Sequence, residues 1–156
     1  MSRHPSPWPL SELVPHAPPL VLVDEIVEYD DTSLVAVVGI GADHIFFAEG
    51  GVPAHVGIEF MAQACAAWSG AMGKQRGEPV RPGMLLGTRG YEATIERFSE
   101  GDRLIVTVAL NFRDEELGVF DCVIERGGET VASAQLTVYQ PSDAAAFMAR
   151  VGNGHV

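Results

Sequence analysis

Between Val52 and Gly70 the chain runs through small and apolar residues almost without a break, and its one carboxylate is Glu59. On a helix Glu59 has Val56, Ile58 and Met61 around it and Gln63 one turn on, so its ionised form is poorly solvated. Burial of that kind raises a carboxyl pKa and makes the group a usable proton acceptor or donor near neutrality. The plainer reading is a carboxylate facing a water-filled groove; the cost of burying a charge favours the functional one. Gln63, at i+4, can hold Glu59 or a bridging water, although glutamine on a helix is as often ordinary surface. Backbone N–H groups at the helix start, around Val56 and Gly57, lack intrahelical acceptors and carry the positive end of the helix dipole, which suits a developing oxyanion. Gly57 serves either close approach of a ligand or tight packing of helix on sheet.

A carboxylate working on protons is commonly paired with a second titratable group, and five histidines compete for that place. His4 and His155 sit near the ends of the chain. His16 follows Pro15 at the mouth of an apolar run, His44 stands in a glycine-flanked loop, and His55 falls in the first helical turn, where it points away from Glu59. Met61, Trp68 and Met72 read as core, or as the wall of a tunnel for an apolar ligand, with core the default.

The elements that must position these groups follow from patterning. Three prolines in residues 1–9 read as an extended lead-in, and Ser11–Val14 has room for one helical turn before Pro15. Leu20–Val27 and Ser33–Ile40 are strand-like, with the turn residues Glu28–Thr32 between them, and so form a hairpin. An irregular loop through Asp43–Phe47 then leads to Pro53, suited to the first turn of a helix over about Pro53–Gly73. After Glu59 the next charge is Lys74, fifteen residues on, so this helix must be enclosed. Four strands follow, Met84–Ile95, Arg103–Arg113, Leu117–Arg126 and Glu129–Tyr139. Leu104, Val106, Val108, Leu110 and Phe112 form one apolar face. Ser142 and Asp143 cap a short helix, Ala144–Val151. Two strands, a loop, an enclosed helix and four more strands is the order of the α+β hot-dog fold, an antiparallel sheet of about six strands curled round a central helix. Its open sheet edges favour a dimer.

Length and composition bound the rest. With 156 residues, 47% of them hydrophobic, the chain fits one domain, residues 1–156. A net charge of −11 with scattered Lys and Arg argues against nucleic acid as a partner. The first residues lack a secretory apolar segment and no run is long enough to span a bilayer, so a cytoplasmic protein without membrane contact is expected. Cys65 and Cys122 lie in apolar runs without a Cys-x-x-C or Cys/His neighbour, so neither a disulfide nor a metal site is expected, and no cofactor is implied.

Several motifs carry a family resemblance. Val14-Pro15-His16-Ala17-Pro18-Pro19-Leu20 through Asp24-Glu25-Ile26 resembles the P-H-x-x-P opening of the FabZ-type 3-hydroxyacyl-ACP dehydratases. Phe46-Phe47 followed by Glu59-Phe60-Met61-Ala62-Gln63-Ala64 resembles that family's F-F…E-A-x-A-Q-A, and Arg97-Phe98 with Gly101-Asp102 its R-F…G-D segment. The family's G-H-F-P is absent; the comparable stretch is Glu49-Gly50-Gly51-Val52-Pro53. That absence, with V-P-x-x-x-G-I-E-x-M-A-Q and Gly83–Arg89, is similar to the ApeP-like dehydratase branch, associated with aryl-polyene and related fatty-acid-like pathways. The resemblance implies dehydration of a 3-hydroxyacyl thioester, carried by acyl carrier protein or CoA, to the trans-2-enoyl thioester. It implies Glu59 and His16 as catalytic groups, and ranks His44 lower because it stands before the Phe pair rather than after it. Val56, Gly57 and Gln63 then bind substrate.

Two other readings remain open. On the same fold Glu59 could activate water, making an acyl thioesterase. Without G-H-F-P the chain could instead be an inactive partner subunit of another hot-dog dehydratase, so the assembly is a homodimer or a heteromer. A basic cluster, Lys74, Arg76, Arg81 and Arg89, is the expected docking rim for an acidic carrier.

Overall fold

The computed structural model describes residues 5, 6, 8, 21–78, 84–114 and 116–139. The helical turn expected at Ser11–Val14, His16, Arg81 and the helix expected at Ala144–Val151 lie outside the described residues.

β1 (Glu25–Tyr29) and β2 (Ser33–Gly39) form the hairpin. Asp30 shapes its turn: Oδ1 accepts from the N–H groups of Thr32 at 2.9 Å and Ser33 at 2.7 Å, an aspartate bonding the backbone just ahead of it. β1 begins later than the expected Leu20. Leu22 and Val23 are buried, but their N–H groups turn toward Gln63 of the helix and not toward a strand.

The main sheet has six antiparallel strands in the order β1-β2-β6-β7-β8-β4, completed by β4 (Met84–Ala93), β6 (Arg103–Asp114), β7 (Leu117–Arg126) and β8 (Glu129–Tyr139). Two short strands missing from the sequence reading, β3 (Gly51–Pro53) and β5 (Arg97–Ser99), pair in a second sheet. Three residues are too few for an alternation to show. The apolar face of β6 is shorter than expected. Leu104, Val106 and Val108 are fully buried, but the register shifts between Leu110 and Phe112, and Phe112 turns out to solvent, 54% exposed.

The central helix, α1 (Gly57–Gln75), lies on this sheet, preceded by a single 3₁₀ turn at Ala54–Val56. Phe60, Met61, Ala64, Cys65, Ala67, Trp68 and Ala71 pack against Leu34, Ala36, Val38, Val106, Phe120 and Ile124 in one core cluster. Met61, Trp68 and Met72 are core residues. Enclosure is incomplete, however: Ile58, Glu59, Ala62, Ala66, Ser69 and Gly73 are only half-buried. Spaced three or four apart, they line one side of the helix, since one curved sheet covers one side of a helix. Cys65 and Cys122, on helix and sheet, meet in the core as free thiols with Sγ atoms 3.9 Å apart. Burial, with Cys122 alongside, pushes the Cys65 thiol well above its ordinary range, which leaves it unreactive.

Candidate active site

The helix start is set by backbone chemistry. Proline fixes the entry at Pro53 and the 3₁₀ turn tightens the chain before α1 opens. The Gly57 N–H donates to the carbonyls of Ala54 and His55, so this donor is already engaged within the turn. Val56 is buried, 7% exposed, at the end of the same turn. Gly57 is a glycine because of packing: a Cβ there would lie 2.4 Å from the Tyr91 hydroxyl, 3.0 Å from Ile124 Cδ1 and 3.2 Å from Phe98 Cζ. Tyr91, which no sequence signal singled out, reaches across from β4 to donate its hydroxyl to the Ala54 carbonyl, and burial raises its pKa.

Glu59 stands in the first turn of α1, half-buried on the open side of the helix. One turn on, Gln63 is 1% exposed and bridges two elements. Its Nε2 donates to Glu59 Oε1 at 3.3 Å, while its Oε1 accepts from the N–H groups of Leu22 at 2.8 Å and Val23 at 3.4 Å. A buried amide must satisfy both ends. With its oxygen on the strand entry, its nitrogen faces Glu59, which orients that carboxylate and ties residues 22 and 23 to the helix.

Leu22 also lines a cleft of about 240 Å³ with Asp24, Gly39, Asp43, His44 and Ile45. His44 sits in the loop after β2, held by backbone bonds to Gly41 and Phe47. Its Nδ1 accepts from the Phe46 N–H at 3.1 Å and its ring packs edge-on near Phe60, centroids 5.9 Å apart. Burial lowers its pKa, against the opposing pull of Asp24 and Asp43. His55 is exposed on the 3₁₀ turn.

The stretch in the place of G-H-F-P is a tight turn. Glu49 and Gly50 take φ of 52° and 84° between Ala48 and Gly51, which exchange backbone bonds. Arg97 clamps the turn, donating to the Ala48 carbonyl at 2.9 Å and to Glu49 at 2.9 Å. Of the basic cluster, Arg76 and Arg89 are exposed and Lys74 lies in the last turn of α1. Among the described residues no group of His, Cys, Asp or Glu is arranged to hold a metal ion, and no helix is long and apolar enough to cross a membrane.

Comparison with known proteins adds an independent line. A family model described as ApeP dehydratase matches residues 8–149. The dehydratase heterocomplex ApeI:P from Xenorhabdus doucetiae superposes with a TM-score of 0.85 at 30% identity, over 91% of this chain and 97% of that one. A hypothetical thioesterase with coenzyme A from Streptococcus pneumoniae TIGR4 has a TM-score of 0.60 at 15% identity, covering 75% and 84% of the two chains. The E. coli PaaI protein has a TM-score of 0.60 at 17% identity, covering 75% and 82%. These last two share the hot-dog fold and nothing finer. No curated protein matches.

Proposed function

The chain belongs to the ApeP-like dehydratase family, and from that premise we propose that it removes water from a 3-hydroxyacyl thioester to give the trans-2-enoyl thioester, in a fatty-acid-like or aryl-polyene-like pathway. The observation that carries this reading is the Glu59–Gln63 pair at the open side of the helix start. Glu59 takes the C2 proton while negative charge builds on the thioester oxygen. The C3–O bond then breaks, and the departing hydroxyl takes up a proton and leaves as water. His16 is the proposed second titratable group, on the strength of the Pro-His motif. Gln63 keeps the Glu59 carboxylate aimed, and backbone N–H groups near Val56 and Gly57 are the proposed oxyanion donors; the bonds from Gly57 to Ala54 and His55 shift that role toward its neighbours.

The substrate is proposed to arrive on an acyl carrier protein or on CoA, and the working assembly is proposed to be a homodimer or a heteromer with another hot-dog subunit. The similarity to the ApeI:P dehydratase heterocomplex supports a heteromer.

The test is product analysis with a 3-hydroxyacyl thioester. Appearance of conjugated-enoyl absorbance supports dehydration, whereas release of free thiol would mean hydrolysis. Glu59→Gln is nearly isosteric and cannot take a proton, so turnover should fall by about 10²–10⁴-fold with fold and assembly intact. Retention of more than about a third of wild-type turnover would remove Glu59 from the mechanism. Activity that appears only on adding a second hot-dog chain would mark this one as a partner subunit.

A further inference from the structure

His44, which lines a cleft with Leu22, Asp24 and Asp43, carries a polar atom that the mechanism above does not use. Because His44 Nδ1 accepts the Phe46 N–H, the neutral ring carries its proton on Nε2. That nitrogen is shielded from solvent and has no hydrogen-bond partner among the described residues. A shielded, unpaired donor is costly, and its persistence calls for a partner that arrives from outside. The cleft that His44 lines is continuous with Leu22, whose N–H is held by the same Gln63 that holds Glu59. Exposed Ile45 stands at its lip, where a surface side chain swings aside on a nanosecond timescale.

The charges around the ring select the ligand. Asp24 and Asp43 line the same cleft and their charges act on His44, Asp24 while accepting the Gly39 N–H. Two carboxylates repel an anion, so the cleft suits neither a phosphate nor an oxyanion. They favour a group that accepts one hydrogen bond and donates another, which is what a hydroxyl does.

We propose that His44 binds the 3-hydroxyl of the substrate, its Nε2–H donating to the hydroxyl oxygen and the hydroxyl proton directed to the acidic wall at Asp24 and Asp43. His44 then acts as a specificity residue that separates 3-hydroxyacyl from unsubstituted acyl thioesters and sets C3 beside the Glu59–Gln63 pair. This inference rests on the dehydratase reading. The competing arrangement is an Nε2–H that lies against the Phe60 ring and only packs.

The experiment uses the assembled protein carrying Glu59→Gln, which holds substrate without turning it over, and measures the dissociation constants of 3-hydroxyoctanoyl and octanoyl pantetheine thioesters. Adding His44→Phe keeps a ring against Phe60 but removes the donor. It should weaken the hydroxy thioester roughly 3- to 10-fold, the worth of a neutral hydrogen bond, and leave the octanoyl thioester unchanged. His44→Gln, which retains a donor, should recover part of the difference. His44→Leu, which also lacks a donor, replaces the Phe variant if that one fails to fold. Equal loss for both ligands, or no loss for either, overturns the assignment and leaves the dehydratase reading standing. Absence of binding by either thioester overturns both, and persisting turnover in Glu59→Gln overturns only the role of Glu59.

Discussion

Gln63 shows how much one side chain can carry. Buried at 1% exposure, it accepts from two backbone N–H groups ahead of β1 and donates to Glu59. Gln63→Leu keeps the volume but leaves the Leu22 N–H unpaired in the core. Stability should fall by about 1–3 kcal/mol, read by chemical denaturation. Gln63→Glu keeps the acceptor and removes the donor, facing one carboxylate with another, so one of them must hold a proton at higher pH than before. The acid limb of the pH–rate profile should move upward in this variant, and an unmoved limb would mean that Glu59 does not sense residue 63. At the same scale, His44 couples folding to pH. Burial lowers its folded pKa below the ordinary 6.5, with Asp24 and Asp43 opposing from the cleft wall. The unfolded chain therefore binds the proton more readily, and the neutral ring's contribution is complete above pH 6.5 and declines as pH falls toward the folded pKa. His44→Phe should flatten the rise in melting temperature between pH 5.5 and 7.5, after subtraction of the carboxylate background measured below pH 5.

At the scale of elements, the helix start is built for tight contact with β4. Gly57→Ala drives a methyl into the Tyr91 hydroxyl, whose own bond to Ala54 opposes retreat, and into Ile124 and Phe98. A cost of about 1–3 kcal/mol is expected from overpacking, measured by denaturation, and Tyr91→Phe should relieve part of it in the double variant. Additive losses would place the strain elsewhere. This contact also explains what could and could not be read in advance. The long strands and α1 were legible because their periodicity extends over many residues, and Glu59 stood out as a lone charge in an apolar run. Gly57 is open between ligand approach and packing in the sequence, and the crowding by Tyr91, Ile124 and Phe98, all more than thirty positions on, accounts for it by packing. The His44 cleft could not be seen either, since Asp24, Gly39 and Asp43 come together through strand pairing and a loop that no local pattern encodes. Gln63 was even between surface and site, and its partners at residues 22 and 23 lie about forty positions upstream.

At the scale of the molecule, the sheet ends in β4, and its register with β8 skips Leu86: Leu85 pairs with Val138 and Gly87 with Thr137. Leu86 is 55% exposed and Leu85 38%, on an edge where charges or a proline would ordinarily discourage pairing. A second hot-dog subunit meeting this edge would cover both leucines. Leu86→Glu should then lower the molar mass in solution, read by sedimentation or light scattering, while changing the stability of the fold by less than about 0.5 kcal/mol. An unchanged mass would send the interface to the half-buried side of α1 or to β1. Salt distinguishes the two proposed assemblies. Two copies that each carry −11 repel, and screening over about 10 Å at 0.1 M salt weakens that repulsion, so a homodimer should tighten as salt is added. A heteromer whose partner presents a basic face should loosen over the same range, because there the long-range charge is attractive. The sign of the salt dependence, measured on wild type and on Leu86→Glu together, therefore reports which kind of subunit occupies the edge.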